Sequence, residues 1–158
     1  KTVLPLIKEY GAAVIGLAMD DDGIPADPDR RIAIAHKIVE RAEALGIPRQ
    51  DIIIDPLAMT MGADSNAGKV VIEAIRRIKA ELDLNQTLGA SNVSFGMPDR
   101  ALLTSYFLAI AMAAGVTCPV VNAAGVRPAV LASDLVLGRD DYARRYIREY
   151  RKRQSSAA

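Results

Sequence analysis

The sequence has little cysteine, little histidine and almost no net charge. Its 158 residues include one cysteine, Cys118, and one histidine, His36. A single cysteine excludes a disulfide scaffold and favours a reducing, cytoplasmic location. A single histidine argues against a zinc or non-haem iron centre, so we predict no metal site. The formal charge of +1 lacks the basic excess of a dedicated nucleic-acid binder, so we predict no nucleic-acid partner.

Long uninterrupted hydrophobic runs are also absent. The most apolar stretch, residues 106–126, is broken by Gly115, Thr117, Pro119 and Asn122. Such a stretch is typical of a buried helix that leads into a buried strand, and we predict no membrane span and no signal peptide. The hydrophobic fraction of 51% is nevertheless too high for a disordered chain.

Four short apolar runs alternate with amphipathic stretches along the chain. They occupy residues 12–18, 51–54, 86–89 and 118–121, so their starts lie 32 to 39 residues apart. This spacing predicts repeated β-strand–loop–helix units. Because the runs are apolar on both faces, we expect parallel strands that are covered on both sides.

The stretches between these runs carry helix signals. Asp27, followed by proline, is typical of a helix start, and Gly46 is typical of a helix end. Residues 98–114 form a helix that is apolar nearly all round, so we expect it to be heavily buried. Apolar stripes predict the inner faces of the two preceding helices: Ala35, Ile38, Ala42 and Leu45, then Val71, Ile75, Ile78 and Leu82.

Four such units predict an α/β fold and make half of an eight-unit (β/α)8 barrel of the TIM type. A complete barrel needs about 250 residues. A small doubly wound open sheet is the alternative. Half a barrel exposes two sheet edges, so further chain or an oligomer should complete it. The sequence opens at Lys1 without an initiator methionine, so we expect a piece of a longer protein.

Functional residues in such folds follow the carboxyl ends of the strands. Three aspartates at residues 20–22 suggest a cation site or, as we favour, a surface turn. Asp55 follows the second run and could accept two N–H bonds from an amidine-like edge such as a 2-amino-pyrimidinone. From the residues alone we favour a turn or cap role for Asp55.

The third loop, residues 89–96, is rich in small and amide-bearing residues. Gly89 allows close backbone approach, and Asn92 offers both a donor and an acceptor. Phosphate binding by Gly89 and Ser91, or a simple turn, are alternatives. Arg100 is an anion contact or a surface residue. We interpret Cys118 as a core residue, and no nucleophile pair is evident.

The segment of residues 139–153 carries seven basic and three acidic residues. Tyr142, Tyr146 and Tyr150 recur every fourth residue. A basic helix with aromatics can touch RNA or a membrane surface, but we favour packing of the tyrosines on the domain.

Four motifs carry a family resemblance. They are GLAMDDDGIP at residues 16–25, IIIDPLAM at 52–59, LGASNVSFGMPDR at 88–100 and YFLAIAMAAGVTCPVVN at 106–122. The sequence resembles the C-terminal half of the methyltetrahydrofolate-dependent corrinoid methyltransferases. These are pterin-binding barrels related to dihydropteroate synthase and to the folate module of cobalamin-dependent methionine synthase. The resemblance implies that residues 1–158 are the C-terminal part of one pterin-binding barrel domain.

The resemblance also implies site residues. Asp55 matches the aspartate that bonds the pterin ring, and Asn92 matches the asparagine near N5, the nitrogen that bears the methyl group. Gly89 and Ser91 match pocket positions, and Arg100 matches an arginine near the folate. Asn92 would be the catalytic residue, and all five would bind substrate.

The implied activity is a methyltransferase that moves the N5-methyl group of methyltetrahydrofolate to a corrinoid (cobalamin-type) cobalt carried by a partner protein or domain. The resemblance further implies a homodimer. Alternatives are a pterin transferase like dihydropteroate synthase and a non-catalytic folate-binding module. The late lysine and Arg-x-His motifs of dihydropteroate synthase are absent from this sequence, which favours methyl transfer.

Overall fold

The structure, a computed structural model, describes residues 2–157 and their side chains to residue 155; positions 1 and 158 lie outside it. Helices and strands alternate as predicted from Val3 to Ala114. The first part of the chain contains α1 (Val3–Tyr10), β1 (Val14–Leu17), α2 (Pro28–Ala44), β2 (Ile52–Asp55), α3 (Ala67–Leu82) and β3 (Asn85–Gln86). The second part contains α4 (Arg100–Ala114), α5 (Ala123–Val136) and α6 (Arg144–Ala157), with 3-10 turns at Arg49–Asp51, Ala90–Ser94 and Asp141–Ala143.

The strands form a parallel sheet in the order β1-β2-β3, which confirms the predicted α/β class. The fourth apolar run joins the same sheet through a bridge between Gly89 and Val120, in which the Val120 N–H donates to the Leu88 carbonyl at 2.8 Å. Strand order therefore follows chain order throughout the described sheet. A doubly wound sheet would reverse its order at a switch point, whereas a barrel adds each strand beside the previous one.

The described β3 is shorter than the predicted strand. It ends at Gln86, because Gly89 already leads into the 3-10 turn Ala90–Ser94. Cys118, predicted to be a core residue, is exposed. It lies where the fourth run meets β3, and its Sγ donates to the Gln86 carbonyl at 3.4 Å. That prediction was wrong because the run contributes a single bridge to the sheet rather than a covered strand.

Helix starts and ends agree well with the local signals. The Asp27 carboxylate accepts the Arg30 N–H at 2.8 Å at the start of α2, and Gly46 adopts a φ of 74° just after its end. Leu45, which was predicted to belong to the buried stripe of α2, is exposed. The buried stripe includes Val39 instead. The stripe predicted for α3 is buried in full: Val71, Ile75, Ile78 and Leu82.

The helices cover one face of the sheet. Gly16 and Ile54 are buried against α2 and α3, whereas the side chains of Ile15 and Leu17 on the opposite face of β1 are 53% and 43% exposed. Right-handed crossovers that always step in one direction place every helix on the same side. The expectation of cover on both faces was therefore wrong for β1. We call the face that carries Ile15, Leu17 and Ile53 the open face.

Helix α4 lies in the outer layer and is not buried all round, contrary to expectation. Phe107 and Leu108 point into the core, but Leu102, Tyr106 and Ile110 are exposed along its outer side. The difference arises because α4 has neighbours on its inner side, where it packs with α3 and α5. Across residues 2–157, no helix combines the length and apolar character needed to cross a bilayer.

Of the three tyrosines near the C-terminus, Tyr146 is half-buried, but Tyr142 and Tyr150 do not pack on the domain as predicted. Tyr142 is 88% exposed and lies in the 3-10 turn Asp141–Ala143, before α6 rather than on its face. Tyr150 is also exposed. Helix α6 instead contacts α5 through an ion pair between Arg127 Nε and Glu149 Oε2 at 2.8 Å.

Candidate functional site

The candidate site lies at the edge of the sheet where the strands end. Main-chain and side-chain bonds join the loop after β2 to the loop after β3. The Met61 N–H donates to the Val93 carbonyl at 3.0 Å, and the Thr60 hydroxyl donates to the Phe95 carbonyl at 2.7 Å. The two loops that carry the predicted site residues therefore form one surface.

Asp55 is the last residue of β2 and lies beside Leu17 of β1, at the end of the open face where the strands terminate. The Leu57 N–H donates to its Oδ1 at 2.8 Å, so the carboxylate does shape the local turn. Burial raises the pKa of Asp55 above its ordinary value, and the bond from Leu57 acts in the opposite direction. A half-buried carboxylate that has one ordered oxygen is suited to accept further N–H bonds from a ligand.

Gly89 and Asn92 are in direct contact. The Asn92 N–H donates to the Gly89 carbonyl at 3.1 Å, and a Cβ placed on Gly89 would lie 3.0 Å from Asn92 Nδ2. The Asn92 amide thus covers the Cα of Gly89, where a side chain would displace it. Asn92 itself is exposed, so its amide can reach a ligand above the sheet edge.

Arg100 joins the third loop from the start of α4. Its Nη2 donates to the Ser91 carbonyl at 3.1 Å, its Nε lies 3.4 Å from Ser94 Oγ, and its guanidinium carbon lies 5.6 Å from the Phe95 ring centre. Ser91 and Arg100 also line a cavity of about 320 Å³, together with Thr104, Ser105, Val121 and Asn122. The structure therefore brings these two predicted site residues together.

Ser94 and Thr104 were not predicted as site residues, yet their side chains stabilise the third loop from its buried side. Both are buried, their hydroxyls lie 2.9 Å apart, and Ser94 Oγ also donates to the Ser91 carbonyl at 3.1 Å. The signal available in the sequence was Thr104, a hydroxyl residue on the buried side of the mostly apolar helix α4. This pair holds the loop that carries Asn92.

The aspartates at residues 20–22 form a turn, as favoured. The Gly23 N–H donates to the Asp20 carbonyl at 3.0 Å, and Arg30 pairs with the carboxylates of Asp20 and Asp22. Within residues 2–157, no group of three or more acidic, histidine or cysteine side chains is placed to hold a metal ion. The charge of this turn is therefore partly offset by a side chain of α2.

Two known proteins are similar in sequence to this chain. The chain is 29% identical over 157 residues to a methylcorrinoid:tetrahydrofolate methyltransferase of Eubacterium limosum, and the alignment covers 95% of this chain and 57% of the relative. It is 32% identical over 133 residues to a methionine synthase of Mycobacterium tuberculosis, covering 79% of this chain and 11% of the relative. The chain therefore spans just over half the length of the first protein and about a tenth of the second.

A family match covers most of the chain. Residues 1–122 match the family described as pterin binding enzyme, and this range includes β1 to β3 and the loops that carry all five predicted site residues. The resemblance drawn from the four sequence motifs is confirmed by this match together with the names of the two relatives. This chain belongs to the pterin binding enzyme family.

Proposed function

We propose that this chain is the C-terminal half of a (β/α)8 pterin-binding barrel that transfers the N5-methyl group of methyltetrahydrofolate to a corrinoid protein. The observation that carries the proposal is the placement of Asp55 and Asn92, which occupy two bonded loops on adjacent strands of one sheet edge. Family membership supplies the substrate class, and the relatives' names supply both the folate and the corrinoid.

The sheet supports the half-barrel part of this proposal. Its strands are parallel and sequential, its helices cover one face, and apolar side chains project from the open face. In a barrel that face points inward and is filled by layers of branched side chains. Ile15, Leu17 and Ile53 are residues of that kind.

Asp55 recognises the pterin ring in this proposal. A 2-amino-pyrimidinone presents two adjacent N–H groups, and a carboxylate can accept both. Because Leu57 holds one carboxylate oxygen at 2.8 Å, the orientation of the group is set before ligand binds. Partial burial strengthens these bonds, since water competes less for the carboxylate.

Asn92 acts on the reacting nitrogen. The methyl group leaves N5 without its bonding electron pair, so the pair remains on nitrogen and basicity rises as the bond breaks. An amide that bonds N5 stabilises this developing charge, and a proton from solvent completes the leaving group. Gly89 leaves room for the amide, while Ser91 and Arg100 shape the adjoining wall and contact the folate.

The cobalt of the partner's reduced corrinoid supplies the nucleophile. This assignment agrees with the absence of a nucleophile pair in the sequence. Asn92 and Phe95 are exposed at the sheet edge, where a partner protein can approach. One relative is named for methylcorrinoid and tetrahydrofolate, and the same amide serves transfer in either direction, because forward and reverse reactions share one transition state.

We further propose a cytoplasmic homodimer. The single cysteine fits a reducing compartment, and the exposed apolar side chains on the outer side of α4, Leu102, Tyr106 and Ile110, offer a surface for association.

Calorimetric binding of methyltetrahydrofolate to the full-length protein tests the proposal. Asp55→Ala should weaken binding about 10- to 100-fold, because hydrogen bonds to a charged group are lost. Asp51→Ala is the matched control, since Asp51 is equally half-buried but precedes β2 at the opposite end. Absence of binding by folded wild-type protein, or equal effects of the two variants, would contradict the proposal.

A further inference from the structure

Arg31 is a buried guanidinium in the first turns of α2, and the proposed function gives it no role. It is 2% exposed. Its Nε donates to the Pro25 carbonyl at 2.8 Å, and its Nη1 donates to the Pro56 carbonyl at 2.8 Å. These carbonyls belong to the loops that follow β1 and β2, so one side chain joins the two loops.

A third bond leads from Arg31 towards Asp55. Arg31 Nη1 also donates to the Leu57 carbonyl at 2.7 Å. Leu57 has a φ of +64°, a left-handed conformation that costs a residue with a side chain about 1 kcal/mol or more. In this conformation the Leu57 N–H donates to Asp55 Oδ1 at 2.8 Å. The bonds therefore form a continuous path from Arg31 through Leu57 to Asp55.

Burying this side chain is costly. Burial lowers the pKa of Arg31, an effect that the nearby Asp27 carboxylate opposes, and the three hydrogen bonds above end on main-chain carbonyls. An apolar residue would continue the buried stripe of Ala35 and Val39 without this penalty. A guanidinium at this place is explained by the geometry of its fork, which reaches several carbonyls at once.

We propose that Arg31 is a positioning residue for pterin recognition. It holds Leu57 in its left-handed conformation, and Leu57 in turn fixes the orientation of the Asp55 carboxylate. One oxygen of Asp55 is then occupied and the other is directed to the ligand. This inference rests on the role that the proposed function gives to Asp55.

The test compares Arg31→Lys with Arg30→Lys in the full-length protein. Arg31→Lys keeps the charge but loses the fork, and Arg30 is an adjacent exposed arginine that pairs with Asp20 and Asp22. Binding of methyltetrahydrofolate is measured by calorimetry with and without Asp55→Asn. Arg31→Lys should weaken binding about tenfold in the otherwise wild-type protein, equivalent to about 1.4 kcal/mol, and less than about twofold beside Asp55→Asn. Arg30→Lys should leave the affinity unchanged in both backgrounds.

A second readout needs no ligand. Carbon-13 NMR of the Asp55 carboxyl should show a raised pKa in Arg31→Lys, because the Leu57 N–H no longer stabilises the carboxylate while the positive charge is kept. If Arg31→Lys does not fold, Arg31→Gln replaces it for the affinity measurements, with Arg30→Gln as its control. An unchanged Asp55 pKa, or an equal loss of affinity in both Asp55 backgrounds, would overturn the positioning role.

The arms also separate this inference from the proposed function. If folded wild-type protein does not bind methyltetrahydrofolate, or if Asp55→Asn binds as tightly as wild type, both fail together. A different result would overturn only the inference about Arg31. In that case wild-type protein binds methyltetrahydrofolate and Asp55→Asn binds it weakly, but Arg31→Lys has the same affinity and the same Asp55 pKa as wild type.

Discussion

At the scale of single residues, Asn92 separates catalysis from binding. Its amide is expected to bond N5 more strongly as the methyl group leaves. Asn92→Ala should therefore leave the Kd for methyltetrahydrofolate within about threefold while slowing transfer about 10²- to 10³-fold, the effect of losing one such donor. Calorimetry and single-turnover kinetics of the full-length protein with its corrinoid partner measure the two quantities.

Asn85→Ala serves as the control for Asn92→Ala. Asn85 is an exposed asparagine at the start of β3, at the opposite end of the strand from the candidate site, where its Oδ1 accepts the Thr117 hydroxyl at 3.0 Å. Its loss should lower stability without a selective loss of rate. Equal losses of affinity and rate in Asn92→Ala would make it a binding residue and would favour a non-catalytic folate-binding module.

Gly89 gives a steric test of the same amide. The φ of Gly89 is −76°, which any residue can adopt, so a substitution there would disturb the contact with Asn92 and not strain the backbone. Gly89→Ala should push the Asn92 amide aside and reduce the transfer rate at least about tenfold, since small displacements near the reacting atoms are costly. Single-turnover kinetics would show the loss.

Gly125→Ala is the matched substitution for Gly89→Ala. A Cβ on Gly125 would meet Asn122 at an ordinary 3.6 Å, and Gly125 lies within α5, where alanine is favoured. We expect Gly125→Ala to keep full activity. Wild-type activity in Gly89→Ala would show that the Asn92 amide does not need its observed position.

The residues that could be predicted from sequence are those placed by local order along the chain. Asp55 directly follows one apolar run and Asn92 comes three residues after another, so their positions at the sheet edge follow from strand ends. Arg31 could not be predicted in this way, because its neighbour Arg30 has the same local signals but is exposed. Their difference depends on which side of α2 faces the loops, a property of tertiary packing.

At the scale of elements, β1 and α2 meet at one close contact. A Cβ on Gly16 would lie 2.6 Å from Ile38 Cγ2, so α2 approaches β1 over a bare Cα. Gly16→Ala should therefore lower the free energy of unfolding by about 1–3 kcal/mol through overpacking. Denaturant unfolding monitored by circular dichroism gives the value.

The Ile38→Ala background checks the cause of this loss. Removing the Ile38 methyl groups clears the space, so Gly16→Ala should then cost much less than in the wild type. Additive losses in the double variant would show that the close approach of α2 to β1 is not what Gly16 provides.

The buried side could be predicted from the sequence for α3 but not for α4. The α3 stripe was predicted correctly because polar residues flank it on both sides. In α4 almost every position is apolar, so periodicity could not select the exposed side that carries Tyr106. The covered side of such a helix is decided by its neighbours, here α3 and α5.

At the scale of the whole molecule, the open face exposes apolar surface beside the candidate site. Ile15 and Leu17 are its most exposed members on β1. The 158-residue chain should therefore self-associate with rising concentration, and Ile15→Lys should shift it towards monomer. Sedimentation velocity measures the distribution.

A lysine elsewhere on the surface provides the comparison. Val136, at the end of α5, is 85% exposed and lies away from the sheet. Val136→Lys should leave the association unchanged. A monomeric wild-type chain, or equal shifts in both variants, would rule out the open face as the associating surface.

The sequential strand order also has a consequence for the growing chain on the ribosome. Residue 52 opens β2 and residue 85 opens β3, and each strand pairs with the one made just before it. At about 5–20 residues per second, successive strands emerge roughly 2–8 seconds apart. Each of these strands can therefore pair as soon as it leaves the ribosome, because the neighbouring strand has already been synthesised.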